Sequence, residues 1–201
     1  MKAIRQRKSA EERQHEIIET ALRLAAISGP DQVTTEAIAT AIGITQPAVF
    51  RHFARKDDIW LAVSEWLQVQ MRERWAHAEA GAATPEQRLL AVVQAQLQLV
   101  DSIPALPSIL FTWQLNGERT PVQDVISRLM RHFHGRLSGI FRDSGGVLVA
   151  DADRAAWLVI SIVQGTAIRW ALMRRSFDLA EEGAALVKLA LAGLRGTQDE
   201  D

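Results

Sequence analysis

A chain of 201 residues, 48% hydrophobic and 23% charged, has apolar surface enough for one large folded domain or two small ones. Its net charge of -1 excludes a protein that coats nucleic acid wholesale, and the absence of cysteine excludes disulfides, thiol redox chemistry and Cys-ligated metal. No apolar run approaches the ~20 residues that span a bilayer, and the basic N-terminus meets Glu11 and Glu12 without a signal-peptide core. The expected location is the cytoplasm, with no membrane partner.

Nearly every segment carries helical periodicity and none alternates with period two, so the expected fold is all-α. The first helix spans 9–28, turning Ile17, Ile18, Ala21, Leu22, Leu24 and Ala25 inward, and Gly29-Pro30-Asp31 ends it. Thr34 is placed to cap a short helix whose inward face is Ile38, Ala39 and Ile42. Gly43 supplies a tight turn. Thr45 then caps a second short helix with Pro47 in its first turn, where a missing N–H costs nothing. Val49 and Phe53, four apart, anchor that helix and leave Gln46, Ala48, Arg51 and His52 outward or sideways. Acids at Asp57 and Asp58 open a long helix carrying Ile59, Trp60, Val63, Trp66, Leu67, Gln70 and Trp75. Thr84-Pro85-Glu86 starts the next helix, to about residue 102; Pro104 and Pro107 bend the chain into a short helix through residues 109–115. Further helices are expected over 121–143, over 152–175 behind an Asp151 cap, and over 179–194.

Two short helices around a glycine turn, the second with a polar start, are the means by which a helix-turn-helix lays a helix in the DNA major groove. The groove-facing candidates are Gln46, Pro47, Ala48, Phe50, Arg51 and His52: Gln pairs with adenine, and Arg reaches guanine or a phosphate. Thr34, Thr35, Thr45 and Lys56 are the phosphate candidates, as hydroxyls and N–H groups at helix starts and an ammonium. Lys2, Arg5, Arg7 and Lys8 form a basic arm that either enters the minor groove or stays solvated.

The segment closely resembles the DNA-binding domain of the TetR family of bacterial transcriptional regulators. The family pattern is met at Thr34, Ile38, Ala39, Gly43, His52, Phe53 and Lys56, with close substitutes Ile42, Ile44, Thr45 and Val49. Pro47 replaces the usual Gly, and Phe50 replaces a Tyr whose hydroxyl would bond a phosphate. The resemblance implies a three-helix DNA-binding domain over residues 1–55 and a helical effector-binding and dimerisation domain over 56–201. It further implies a homodimer on a pseudo-palindromic operator, repressing until a small apolar or aromatic effector binds. The alternative is a constitutive DNA-binding protein without an effector.

In the second domain, Phe111, Trp113, Gln114, Phe133, His134, Phe141, Trp157, Gln164 and Trp170 offer aromatic surface with sparse polar handles, the composition of a small-molecule site or of plain core. The last two helices are apolar almost all round and must be buried on two sides. Trp157, Ile160, Leu186, Leu189, Ala190 and Gly193 are therefore the expected contacts of a four-helix dimer interface. His132 and His134 lie about 200° apart on a helix and cannot share a metal. With no nucleophile elbow, phosphate-cradling loop or metal motif, neither an enzyme nor a cofactor is expected.

Overall fold

The computed structural model describes residues 8–103, 105–111, 121–145 and 151–196. Among them lie nine α-helices and no strand: α1 (Ala10–Ser28), α2 (Thr35–Ile42), α3 (Gln46–Phe50), α4 (Lys56–Glu79), α5 (Pro85–Ser102), α6 (Ala105–Phe111), α7 (Pro121–Asp143), α8 (Ala152–Leu172) and α9 (Leu179–Gly196).

Side chains fix most of the starts. Ser9 and Glu12 form a reciprocal box on α1, at 2.7 and 3.1 Å, and the Ser9 N–H holds the Glu12 carboxyl below its ordinary pKa. Thr84 and Gln87 do the same for α5, and Asp151 accepts from the Arg154 N–H at 3.0 Å on α8. Gly29, at φ 84°, stops α1 and leads into a one-turn 3₁₀ helix, Pro30–Gln32.

α1 to α3 close over Ile17, Ile38 and Val49, each at most 1% exposed, and α1 also rests on α4 and α6. Behind them α4 packs on α5 and α7, α5 on α9, and α7 on α8. Glu79 at the end of α4 pairs with Arg88 of α5 and Arg136 of α7, fastening three helices at one point. Gly183 lets α9 come close to α5: a Cβ there would lie 2.2 Å from Leu97 Cδ1, so a larger residue would have to displace that buried side chain.

Two expectations need correction. α8 is long and apolar enough, by length and composition, to cross a membrane, so such a run does exist. Here it is a core helix, with Ala155, Val159, Ile160, Val163, Ala167 and Trp170 buried against its neighbours. It also ends at Leu172, not at residue 175. Arg174 and Arg175 take positive φ, the Arg175 N–H returns to the Trp170 carbonyl at 2.8 Å, and its guanidinium lies 4.7 Å from the Trp170 ring centre.

Candidate nucleic-acid interface and internal cavity

The turn between α2 and α3 is closed by backbone. Gly43 sits at φ 66°, ψ 42°, the left-handed region that glycine enters without penalty, and the Ile44 N–H bonds the Ala39 carbonyl at 2.9 Å. α3 is anchored by Val49 (0% exposed) and Phe53 (8%). Gln46, Pro47, Phe50 and Arg51 are consequently exposed, and Ala48 and His52 half-buried. Phe50, at 43%, is a large apolar ring left in solvent on the face that the anchoring turns outward.

The threonines take three different positions. Thr34 caps α2 through the Ala37 N–H at 3.0 Å. Thr45 stands at the start of α3, yet its hydroxyl makes no capping bond, contrary to expectation. Pro47 has no N–H to offer, and the Ala48 N–H goes to the Thr45 carbonyl at 2.9 Å. Thr35 is buried, and its hydroxyl accepts from Gln46 Nε2 at 2.8 Å, facing α3 rather than solvent. Lys56 Nζ donates to the Asp31 carbonyl at 3.2 Å. Lys8 turns back on Glu16 at 2.8 Å, while Lys2, Arg5 and Arg7 lie outside the described residues.

Between α4, α5, α6, α7 and α8 lies a cavity of about 60 Å³. Among the described residues its walls are apolar except for Gln96 and Gln164, and none that lines it is ionisable. Among the described residues Gln164 Nε2 has only the Met130 sulfur, at 3.5 Å, and the buried Gln96 Oε1 has no hydrogen-bond partner. A buried amide oxygen without a donor has lost its water and gained nothing, so it favours a guest that brings a donor.

Of the residues expected around such a site, Phe133 and Gln164 line the cavity. Trp170 does not: it is core, its Nε1 donating to the Phe177 carbonyl at 3.1 Å. Phe141 is likewise buried core. Trp157 is 46% exposed and packs on His134, whose Nε2 lies 3.3 Å from the Asp153 carbonyl, so both belong to the outer surface. Phe111 closes α6, and Trp113 and Gln114 lie outside the described residues. The sequence expectation missed Gln96, Met71 and Met130. A glutamine inside an otherwise apolar stretch was the available signal at Gln96.

α8 and α9 also present an apolar outer face. Trp157, Leu158, Ser161, Gly165, Ile168 and Leu172 recur at helical spacing on α8, and Ala185, Leu189 and Gly193 on α9, all exposed. Leu172 and Leu189 reach 78% and 71% exposure, and nothing lies within 4 Å of a Cβ placed on Gly193. Leu186 and Ala190 flank this face, half-buried. Ile160 is not on it: at 2% exposure it points into its own subunit and lines the cavity instead.

Residues 17–63, from the middle of α1 into α4, match the family model described as bacterial regulatory proteins, tetR family. Over that segment the chain is similar to the TetR family. Along most of its length the chain is 24% identical to the HTH-type transcriptional regulator AcrR of Shigella flexneri, over 92% of this chain and 90% of that protein. Its fold is shared by the transcriptional regulator FadR of Bacillus subtilis, solved with stearoyl-CoA, at a TM-score of 0.77 and 21% identity, covering 89% of this chain and 98% of that one. The fatty acid degradation regulator FadR of Bacillus halodurans superposes at 0.80 with 18% identity, covering 94% and 99%.

Proposed function

We propose that this chain is a TetR-family regulator, a homodimeric, ligand-responsive transcriptional repressor acting in the cytoplasm, with residues 1–55 reading DNA and 56–201 serving effector and dimer. The observation that carries it is the exposed row Gln46, Pro47, Phe50 and Arg51 on a helix anchored from beneath by Val49 and Phe53. Each subunit sets α3 in one major groove, Gln46 and Arg51 meeting base edges and the Pro47 ring a thymine methyl. Thr34, Thr45 and Lys56 hold the phosphates on either side, and Thr35 acts through Gln46, whose amide it positions.

The cavity supports effector control over constitutive binding, because Gln96, which lines it, has a buried carbonyl oxygen without a partner among the described residues. The complex of B. subtilis FadR holds stearoyl-CoA. A space of about 60 Å³ falls far short of a long acyl chain and has no partner for a charge, so we assign a small, neutral, apolar or aromatic effector with a hydrogen-bond donor for Gln96.

Selection of duplexes from a random pool by the purified protein tests the reading. The expected product is a pseudo-palindrome with half-sites about 34–36 Å apart, or a multiple of that. An unsymmetrical motif, or no enrichment, overturns it.

Phe50 gives a smaller expected effect. Phe50→Tyr places a hydroxyl where the ring is already exposed, so binding should strengthen by about 0.5–1.5 kcal/mol, the net worth of one hydrogen bond. The gain should be equal on selected and scrambled DNA in a gel-shift titration, since phosphates are the same in both. An unchanged affinity would make Phe50 a packing residue against the groove wall.

A further inference from the structure

Two more buried polar atoms lack partners, and they lie together. Trp75 Nε1 and His132 Nε2 have no hydrogen bond among the described residues, and their rings stack with centres 5.2 Å apart. Both residues line a groove of about 530 Å³ between α4 and α7, with Arg72, Arg131 and Arg136. Among the described residues no acidic side chain lines this groove. Arg136 is engaged by Glu79, but Arg72 and Arg131 are exposed and have no ion pair among the described residues. Burial, reinforced by Arg72, holds the His132 pKa below its ordinary value, so the ring adds no standing charge.

The parts form a set: two exposed guanidiniums without an ion pair among the described residues and, in the wall that Trp75 and His132 form, a buried indole N–H and a buried imidazole nitrogen in want of partners. Guanidiniums and N–H donors are what a phosphate or carboxylate requires, and the Glu79 carboxylate beside Arg136 is already neutralised by Arg136 and Arg88. We propose that the groove between α4 and α7 is a binding site for an oxyanion, neutralised by Arg72 and Arg131 and hydrogen-bonded by the Trp75 N–H and by His132 with its hydrogen on Nε2. The site is separate from the neutral cavity, but only by aromatic rings. Trp75 also stacks on Phe133, at 5.5 Å, and Phe133 lines the cavity. The oxyanion is therefore either a free ion, which leaves the cavity to its neutral effector, or the head of an amphiphile whose apolar part takes that effector's place in the cavity. The proposal does not depend on operator control.

The test titrates the full-length protein with inorganic phosphate, hexyl phosphate and hexanol by calorimetry and thermal melting, with ionic strength held constant by potassium chloride. Phosphate should bind saturably and raise the melting temperature where chloride does not. Arg72→Gln and Arg131→Gln should each weaken phosphate binding by about tenfold, the loss of one charge-assisted contact. Trp75→Phe preserves the stacked ring and removes the donor, so it too should weaken phosphate binding without lowering the melting temperature of the phosphate-free protein. Hexyl phosphate binding more tightly than both phosphate and hexanol identifies the head of an amphiphile; binding equal to phosphate identifies a free ion. Phosphate acting no differently from chloride overturns the site, as does binding that survives the Arg72→Gln/Arg131→Gln double substitution.

Discussion

Leu189→Glu is expected to yield a folded monomer that no longer binds its operator tightly. Leu189 is 71% exposed in the subunit and stands on the apolar face of α8 and α9 with Trp157, Leu172 and Gly193. An isolated subunit tolerates a carboxylate there, in water. The assembled dimer does not, because each subunit would bury an uncompensated charge, at a cost of about 3–5 kcal/mol. Helix content and melting cooperativity should persist at low concentration, and sedimentation should show half the mass of the unsubstituted protein. A monomer holds one half-site, so the contribution of the second is lost while the turn at Gly43 and the α3 face stay intact. A dimeric, fully active Leu189→Glu would move the interface elsewhere, and an unsubstituted protein monomeric at micromolar concentration would remove the two-fold reading altogether.

Gln46→Ala is expected to weaken the best operator by roughly 1–3 kcal/mol and to relax base preference at one symmetric pair of positions. In the unbound protein the Gln46 amide is held by the Thr35 hydroxyl at 2.8 Å, so it meets the groove already oriented by a buried partner. Truncation removes the base contact and leaves the Thr35 hydroxyl without its donor. Lys56→Ala should behave differently: a phosphate contact carries no sequence information, so all duplexes weaken alike and the salt slope falls by about 1. Selected motifs from the two variants separate these outcomes. An unchanged motif from Gln46→Ala would remove Gln46 as a reader.

The helix-turn-helix was legible because its determinants are local. Thr34 caps within three residues, Gly43 meets a left-handed turn, and Val49 and Phe53 share a face by spacing alone. The effector cavity was much less legible, since an aromatic side chain announces volume without saying where it is spent. Trp170 is drawn into the core by the Phe177 carbonyl and covered by Arg175, contacts that depend on how the chain leaves α8. Trp157 and Ile160 sit three apart on a helix apolar all round, where periodicity selects no face; packing sends one out and the other in. Thr35 looked like any hydroxyl at a helix start until α3 folded over it. Arg72 and Arg131 read in sequence as an ordinary solvated surface, and only the approach of α4 to α7 gathers them around Trp75.

α4 runs for 24 residues, a length of about 36 Å at the usual helix rise. Its first turn is tied to the DNA-binding bundle through Lys56 and Asp31, while Leu67, Met71 and Trp75 further along wall the cavity and the groove. A rod of that length converts angle into displacement: a tilt of about 5° moves its far end by ~3 Å, close to the ~3.4 Å between successive base pairs. A guest that shifts one wall by less than the width of a methyl group can thus put a reading helix nearly one base pair out of phase. With two such helices related by a two-fold axis, the mismatch doubles across the operator, and no side chain in the reading face itself has to change.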